Sequence, residues 1–459
     1  MGKTTVRSAF DLVLRRVQID RSVVDVGVKA GVFAAIAPEL PQMDNDIDGS
    51  GKLLLPGLHD HHIHLLATAA RMQSVDLSGL TDPDVIITAL RAQATEIDPG
   101  EWVRAIGYDE RAAGIPDRHL LDVWLPDYPL RLQDRTGALW VLNSAGLELI
   151  GEEPWPDAVE TLADGAPTGR IWRGDEWLRS RIGNQPPSLG VLSQLLAAWG
   201  VTAVTDAGAN NGADEAAILT NAMRIGELRQ RLTLMGREDL PDGQDYQLGP
   251  VKLLFDERAL PALDHIVVRI RVARTLGRAV AAHCVTEAEL VTYFAALDQA
   301  GGARKGDRIE HGSIIPESLI ADIARSQLTV VANPGFIARR GDRYLAEVDP
   351  FDLPSLHRLR SLSDAGIALL AGSDAPYGPA NPWVAIRAAM VRQTASGAVL
   401  GPAEAMPTND ALALFWRCRP IQIGAIADCC LVARDWEEQI LDDAKPNPVE
   451  MTLIDGQIR

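Results

Sequence analysis

Eight short apolar runs through the middle of the chain, several followed by amphipathic helical stretches, restrict its fold more than any other feature. They are LLLPGLHDHHIHL, GVTAVTDAG, LRQRLTLM, GPVKLLFDE, GRAVAAHCV, DRIEHGS, LTVVANPGF and GIALLAGSD. Short continuous apolar runs alternating with helices mark parallel strands buried on both faces, because the helices cover the sheet. Eight such strands close a (β/α)8 TIM-like barrel, so an α/β barrel is the expected fold class. A doubly wound open sheet is the alternative. The glycines of GVTAVTDAGANNG lack dinucleotide-binding spacing and give that alternative no support.

The chain has 459 residues, enough for one large barrel and an accessory domain. Both ends read as short strands: DLVLRRVQI, VVDVGVKAG and VFAAIAP at the start, IGAIADCCLVARDW and VEMTLIDGQIR at the finish. The expectation is a small β-sandwich built from residues 1–55 and 420–459 around a barrel of residues 56–419. The interval between the first and second runs, about 66–190, is far longer than a barrel crossover needs and reads as an inserted subdomain. Trp102, Trp124, Trp140, Trp155, Trp172 and Trp177 lie in it, six of the ten tryptophans, which argues for an ordered unit.

Lysine plus arginine is 44 and aspartate plus glutamate 62, a net charge of −18. A surface of that sign repels nucleic acid and anionic membranes. No long uncharged apolar run reads as a membrane span, and the N-terminus has no secretion-signal pattern. Four cysteines, Cys284, Cys418, Cys429 and Cys430, are too few for a disulfide framework and fit a reducing compartment. The expectation is a cytoplasmic protein acting on a small molecule, with a homodimer one option for its assembly.

In parallel barrels the loops at the C-terminal strand ends assemble the active site. The first run ends Asp60-His61-His62-Ile63-His64. Strand side chains alternate faces, so His62 and His64 point one way and His59 and His61 the other. The former pair is nearer the strand exit; it either grips a metal or packs at the barrel end. Lys252 sits inside an apolar run, where desolvating an ammonium is costly. It either pairs with Asp256 or Glu257, or loses its proton and reacts with carbon dioxide to give a carbamate that can bridge two metals. His283 and His311 each end an apolar run, where a lone histidine is more often structural. Asp374 ends IALLAGSD, either as a helix N-cap or as a metal ligand that also takes a proton from water. Together these six fall at one rim, at the ends of runs one, one, four, five, six and eight, which separate accidents do not explain.

These residues make the chain resemble the amidohydrolase superfamily of metallo-dependent hydrolases. The matching pieces are Pro56-Gly57-Leu58-His59-Asp60-His61-His62-Ile63-His64, Lys252, His283, Glu310-His311-Gly312, Gly372-Ser373-Asp374-Ala375-Pro376 and the tail Ile423-Gly424-Ala425-Ile426-Ala427-Asp428. The insert, with GEWVRAIGYDE and PTGRIWRGDEW, resembles the family 3 branch. The resemblance implies one or two divalent metal ions, zinc first, with manganese, iron or cobalt also suited to the ligands. His62, His64 and Asp374 would hold the more buried ion, His283 and His311 the more exposed one, and a carboxylated Lys252 would bridge them. Asp374 would be the catalytic acid–base in hydrolysis of a C–N bond in an amide, urea or carbamate-type compound. Two departures bear on the substrate. The insert reads Gly137-Ala138, where relatives commonly have Gly-His, and Asn333-Pro334-Gly335-Phe336 follows run seven, where relatives often have Gln-Pro and a histidine. Trp140, Phe336, Arg339 and Tyr377 are candidate substrate contacts. Rival readings are a mononuclear deaminase, a lactonase or other ester hydrolase, and a non-catalytic binding barrel.

Overall fold

A computed structural model describes residues 9–44, 46–151, 154–183, 186–416, 420–442 and 447–459; Cys418 and the first eight residues of the expected N-terminal sheet lie outside them. Each of the eight runs forms a strand of one parallel sheet: β1 Leu58–Ile63, β2 Val201–Asp206, β3 Arg231–Gly236, β4 Gln247–Leu253, β5 Val280–Cys284, β6 Arg308–His311, β7 Thr329–Ala332 and β8 Leu369–Ala371. They are hydrogen-bonded in chain order, from β1 to β8. The open-sheet alternative fails because β8 returns to β1. Just past β8, the Asp374 N–H donates to the His62 carbonyl at 2.7 Å, and a Cβ added at Gly372 would stand 2.4 Å from the His62 nitrogen. The result is a nearly closed barrel.

Every residue of β1 and β2 is buried, as expected for strands with side chains on one face and helices on the other. The helix Leu263–Thr275 shows the outer layer. Ile266, Val267, Ile270 and Ala273 form one buried stripe at helical spacing and pack with Val251 and Leu253 of β4 and Val280 and Ala282 of β5. Each of the larger ones, Ile266, Val267 and Ile270, contributes about 1.5–3 kcal/mol. The helix Glu287–Gln299 starts immediately past β5 because Thr286 and Glu289 cap it reciprocally. That abrupt start leaves His283 at the end of its strand.

Both chain ends enter one sheet. Lys52–Pro56 pairs antiparallel with Cys429–Ala433, which pairs with Val449–Ile454. Leu12–Ile19, Ser22–Lys29 and Val32–Ala37 continue the same sheet, and its core includes Leu14, Val26, Phe33, Leu431 and Leu453.

The chain divides into two compact units, Met1–Leu65 with Leu189–Arg459, and Leu66–Ser188. The second has a six-stranded sheet in the order Val159–Thr161, Pro167–Trp172, Leu139–Leu142, Leu130–Asp134, Val103–Tyr108, Val75–Asp76. Alternation gives it two cores: Val103, Ala105, Leu130 and Leu132 on one side, Trp140, Leu142 and Ile171 on the other. Among the described residues no helix is long and apolar enough to cross a membrane.

Candidate metal centre

The six rim residues meet at the C-terminal mouth of the barrel. His62, His64 and Asp374 offer ligand atoms all within 4.8 Å of one another. Asp374 Oδ1 lies 3.4 Å from His62 Nε2 and 3.2 Å from His64 Nε2. The His311 ring centroid is 4.7 Å from that of His62 and 4.5 Å from that of His283. Lys252 is buried in β4, and its Nζ has no hydrogen-bond partner among the described residues. It does not pair with Asp256 or Glu257; the charges it feels are those of Glu310, Arg308 and Asp374. Nor does Asp374 cap a helix, since the next one, Pro382–Val391, is capped by Asn381. The other histidine pair does separate structural work: His59 and His61 stack at 4.0 Å, and His59 Nε2 meets Thr205 Oγ1 at 2.8 Å.

Neighbouring side chains orient the ring nitrogens. The His62 Nδ1–H donates to Glu310 Oε2 at 2.5 Å, which leaves Nε2 facing Asp374. Glu310 is itself gripped by Arg308, whose Nε donates to Oε1 at 2.7 Å. His311 Nδ1 contacts Asn333 Oδ1 at 2.8 Å, and Asn333 Nδ2 donates to the Gly372 carbonyl at 2.8 Å. A histidine fixed through one nitrogen by a carboxylate or amide presents the other in a set tautomer, as metal-binding imidazoles require. His311 and Asp374 have φ of +70° and +51°. Non-glycine residues seldom adopt this left-handed region, and it persists where the surroundings impose it, commonly at functional sites.

The electrostatics favour the neutral form at His62, His283 and His311 and the ionised form at Glu310 and Asp374. Burial, then the Lys252 charge, pushes His62 down to about 3. Burial likewise lowers His283, and it lowers His311 well below the usual imidazole range. Burial alone would raise Glu310, but Arg308, Lys252 and His62 together hold it well below the ordinary carboxylate range. Burial would also raise Asp374; the hydrogen bond from His64 first, with the positive field of its neighbours, keeps it low. Burial lowers Lys252 as well. Neutral nitrogens, an ionised oxygen and an orphaned buried amine form a donor set that fits divalent cations.

Glu310, Arg308 and Asn333 were not anticipated as site residues. Glu310 did carry a signal, since a glutamate inside the apolar run DRIEHGS raises the same desolvation question as Lys252. Asn333 gave none. His357 gave none either; it is buried, with no hydrogen-bond partner on either ring nitrogen among the described residues, and its ring lies 6.3 Å from Phe336. Of the candidate substrate contacts, Tyr377 is 54% exposed and edge-on to His64 at 5.8 Å. Phe336 is buried beneath the Arg340 guanidinium at 4.2 Å. Arg339 is exposed and donates to the Pro376 carbonyl at 3.4 Å. Trp140 belongs to the inserted unit, where its indole N–H donates to Asp175 at 2.8 Å.

A parallel barrel carrying this cluster at its C-terminal mouth defines a class, the metal-dependent hydrolases. Residues 46–416 match the model of the amidohydrolase family, so the chain belongs to that family and is an enzyme of the amidohydrolase class. It is 27% identical to the N-substituted formamide deformylase of Arthrobacter pascens, over 95% of this chain and 92% of that protein. It is 23% identical to the putative amidohydrolase YtcJ of Bacillus subtilis (strain 168), over 81% and 80%. Among solved structures, an uncharacterized metal-dependent hydrolase from Pyrococcus horikoshii OT3 shares the fold with a TM-score of 0.72 at 19% identity, covering 93% of this chain and 97% of that one.

Proposed function

We propose that the protein hydrolyses a C–N bond of a small amide, urea or carbamate-type compound at a metal centre. The observation that carries this is the gathering of His62, His64 and Asp374 within 4.8 Å beside an unpartnered Lys252 Nζ. His62, His64 and Asp374 would hold one ion, His283 and His311 a second, and a carboxylated Lys252 would join them. Zinc suits this set first, with manganese, iron and cobalt next. When bound, such ions polarise a carbonyl and acidify water. Asp374 would take the proton of the attacking water on its carboxylate and hand it to the leaving nitrogen. Glu310 and Asn333 keep the His62 and His311 rings aimed throughout. Phe336, Arg339 and Tyr377 are proposed to contact substrate. The 27% identity with an N-substituted formamide deformylase, along nearly the whole of both chains, supports an amide-type substrate.

Residues 1–55 with 420–459 are read as a β-sandwich domain and 56–419 as the catalytic barrel with its insert at about 66–190. Cys284, Cys429 and Cys430 are buried free thiols, which supports action in a reducing compartment such as the cytoplasm.

Turnover and metal content of two variants test the assignment. Asp374→Asn is expected to lower kcat by about a thousandfold, the range of a lost general acid–base. Lys252→Ala is expected to lower both activity and metal content. Near wild-type turnover in both variants would defeat the reading. One observation favours a mononuclear variant of the chemistry: among the described residues only His62, His64 and Asp374 bring three His, Cys or carboxylate donors together. Two metal equivalents per active chain would exclude it, and one would favour it.

A further inference from the structure

Two arginines of the inserted unit stand side by side with no carboxylate between them. Val103–Tyr108 runs parallel to Leu130–Asp134, and Arg104 is directly opposite Arg131. Adjacent strands are about 4.8 Å apart, and residues in register leave the same face. Val103, Ala105, Leu130 and Leu132 fill the core on the other face, so both guanidinium groups lie on the tryptophan side.

The two side chains are treated differently. Arg104 donates to the Ala70 carbonyl at 2.8 Å and to Ser74 Oγ at 2.6 Å, and lies 5.4 Å from the Trp140 ring centroid. Arg131 lies near two indoles, 5.9 Å from the Trp102 ring centroid and 6.0 Å from that of Trp140. Its side chain makes no hydrogen bond or ion pair with a described residue, and its Nε is buried without a partner. The nearby carboxylate, Asp175, is held by the Trp140 indole; its charge acts on Arg104, but it makes no direct ion pair with either arginine. Burial, then the neighbouring Arg104 charge, pushes Arg131 down to about 10.

Taking a cation out of water beside a like charge is costly unless something compensates. The indole faces attract a guanidinium but supply no countercharge. What is missing has a defined shape, since the planar guanidinium fork matches a carboxylate with two parallel hydrogen bonds. We propose that Arg131, backed by Arg104, binds the carboxylate of a small organic acid.

Benzoate titrated calorimetrically into the full-length protein tests this, with benzamide as the neutral isostere. Benzoate is expected to saturate a site at millimolar concentration or below and to raise the melting temperature, with benzamide at least about tenfold weaker. Arg131→Met keeps apolar bulk against the indoles and removes the charge. It is expected to weaken benzoate at least about tenfold while melting, without ligand, no lower than wild type. Three results would overturn the site: benzoate binding unchanged by Arg131→Met, as for a carboxylate seated on a metal; inorganic phosphate binding more tightly than benzoate in an Arg131-dependent way; or Arg131→Met melting well below wild type, which marks Arg131 as packing. None of these readouts is turnover, so the result is separate from that of the hydrolase assignment.

Discussion

Glu310 bears more on the metal centre than its position outside the ligand set implies. It is fully buried and touches His62 and Arg308, and its charge acts on Lys252. Glu310→Gln preserves an acceptor for the His62 Nδ1–H but removes the charge that balances Arg308 and Lys252. Loss of a carboxylate that orients a metal-binding histidine costs about 10–100-fold in metal affinity or activity. Glu310→Gln is therefore expected to lose metal to a competing chelator about 10–100-fold more readily, with kcat falling alongside. An affinity equal to wild type would mean that the Glu310–His62 bond does not tune the site. The histidines and Lys252 were legible as site candidates because buried ionisable residues at strand ends need a reason to be there. Their orienting partners were harder to see. Asn333 meets His311 across β6 and β7, and spacing within one run says nothing about contacts between runs.

At the scale of elements, all eight runs became barrel strands because each is short, apolar and followed by connecting chain that returns to the same end. Closure was expected from the count of eight strands, but the contacts that make the seam between β8 and β1 were not legible, since they depend on a glycine whose role appears only when the barrel is complete. Gly372 sits so close to β1 that an added Cβ would stand 2.4 Å from the His62 nitrogen and 2.5 Å from its Cβ. Asp60 reinforces the seam by accepting from the N–H groups of His62 and Ser373 at 3.1 and 2.9 Å. Gly372→Ala must push β8 from β1 or displace His62, at about 1–3 kcal/mol for an overpacked contact. The expected outcome is a lower melting temperature together with weakened metal retention, because the displaced atoms belong to His62. A variant that melts lower yet keeps its metal as tightly would show that the seam and the site are uncoupled.

At the scale of the molecule, all six residues of the centre belong to the unit Met1–Leu65 with Leu189–Arg459. The unit Leu66–Ser188 has its own six-stranded sheet and two apolar cores. Its length and tryptophan content revealed an ordered insert, but not its strand order, since that depends on pairings between segments distant in sequence. Metal binding stabilises only the structure that must be folded for the ligands to meet, by about 4 kcal/mol when the free ion is a thousandfold above its dissociation constant. In the barrel unit, five of the eight strands, β1, β4, β5, β6 and β8, supply ligand residues or lead directly into them, so the ions would act on more than half of the barrel at once. In the insert they would act on none. Stripping the protein with a chelator is therefore expected to raise amide hydrogen exchange in peptides from 189–416 and from β1, and to leave peptides from the insert's two cores unchanged. Equal loss of protection in both units would mean that they unfold as one cooperative body. Unchanged exchange in the barrel would mean that the ions contribute nothing to holding it closed, and that the buried charges of Lys252, Glu310 and Asp374 are balanced without them.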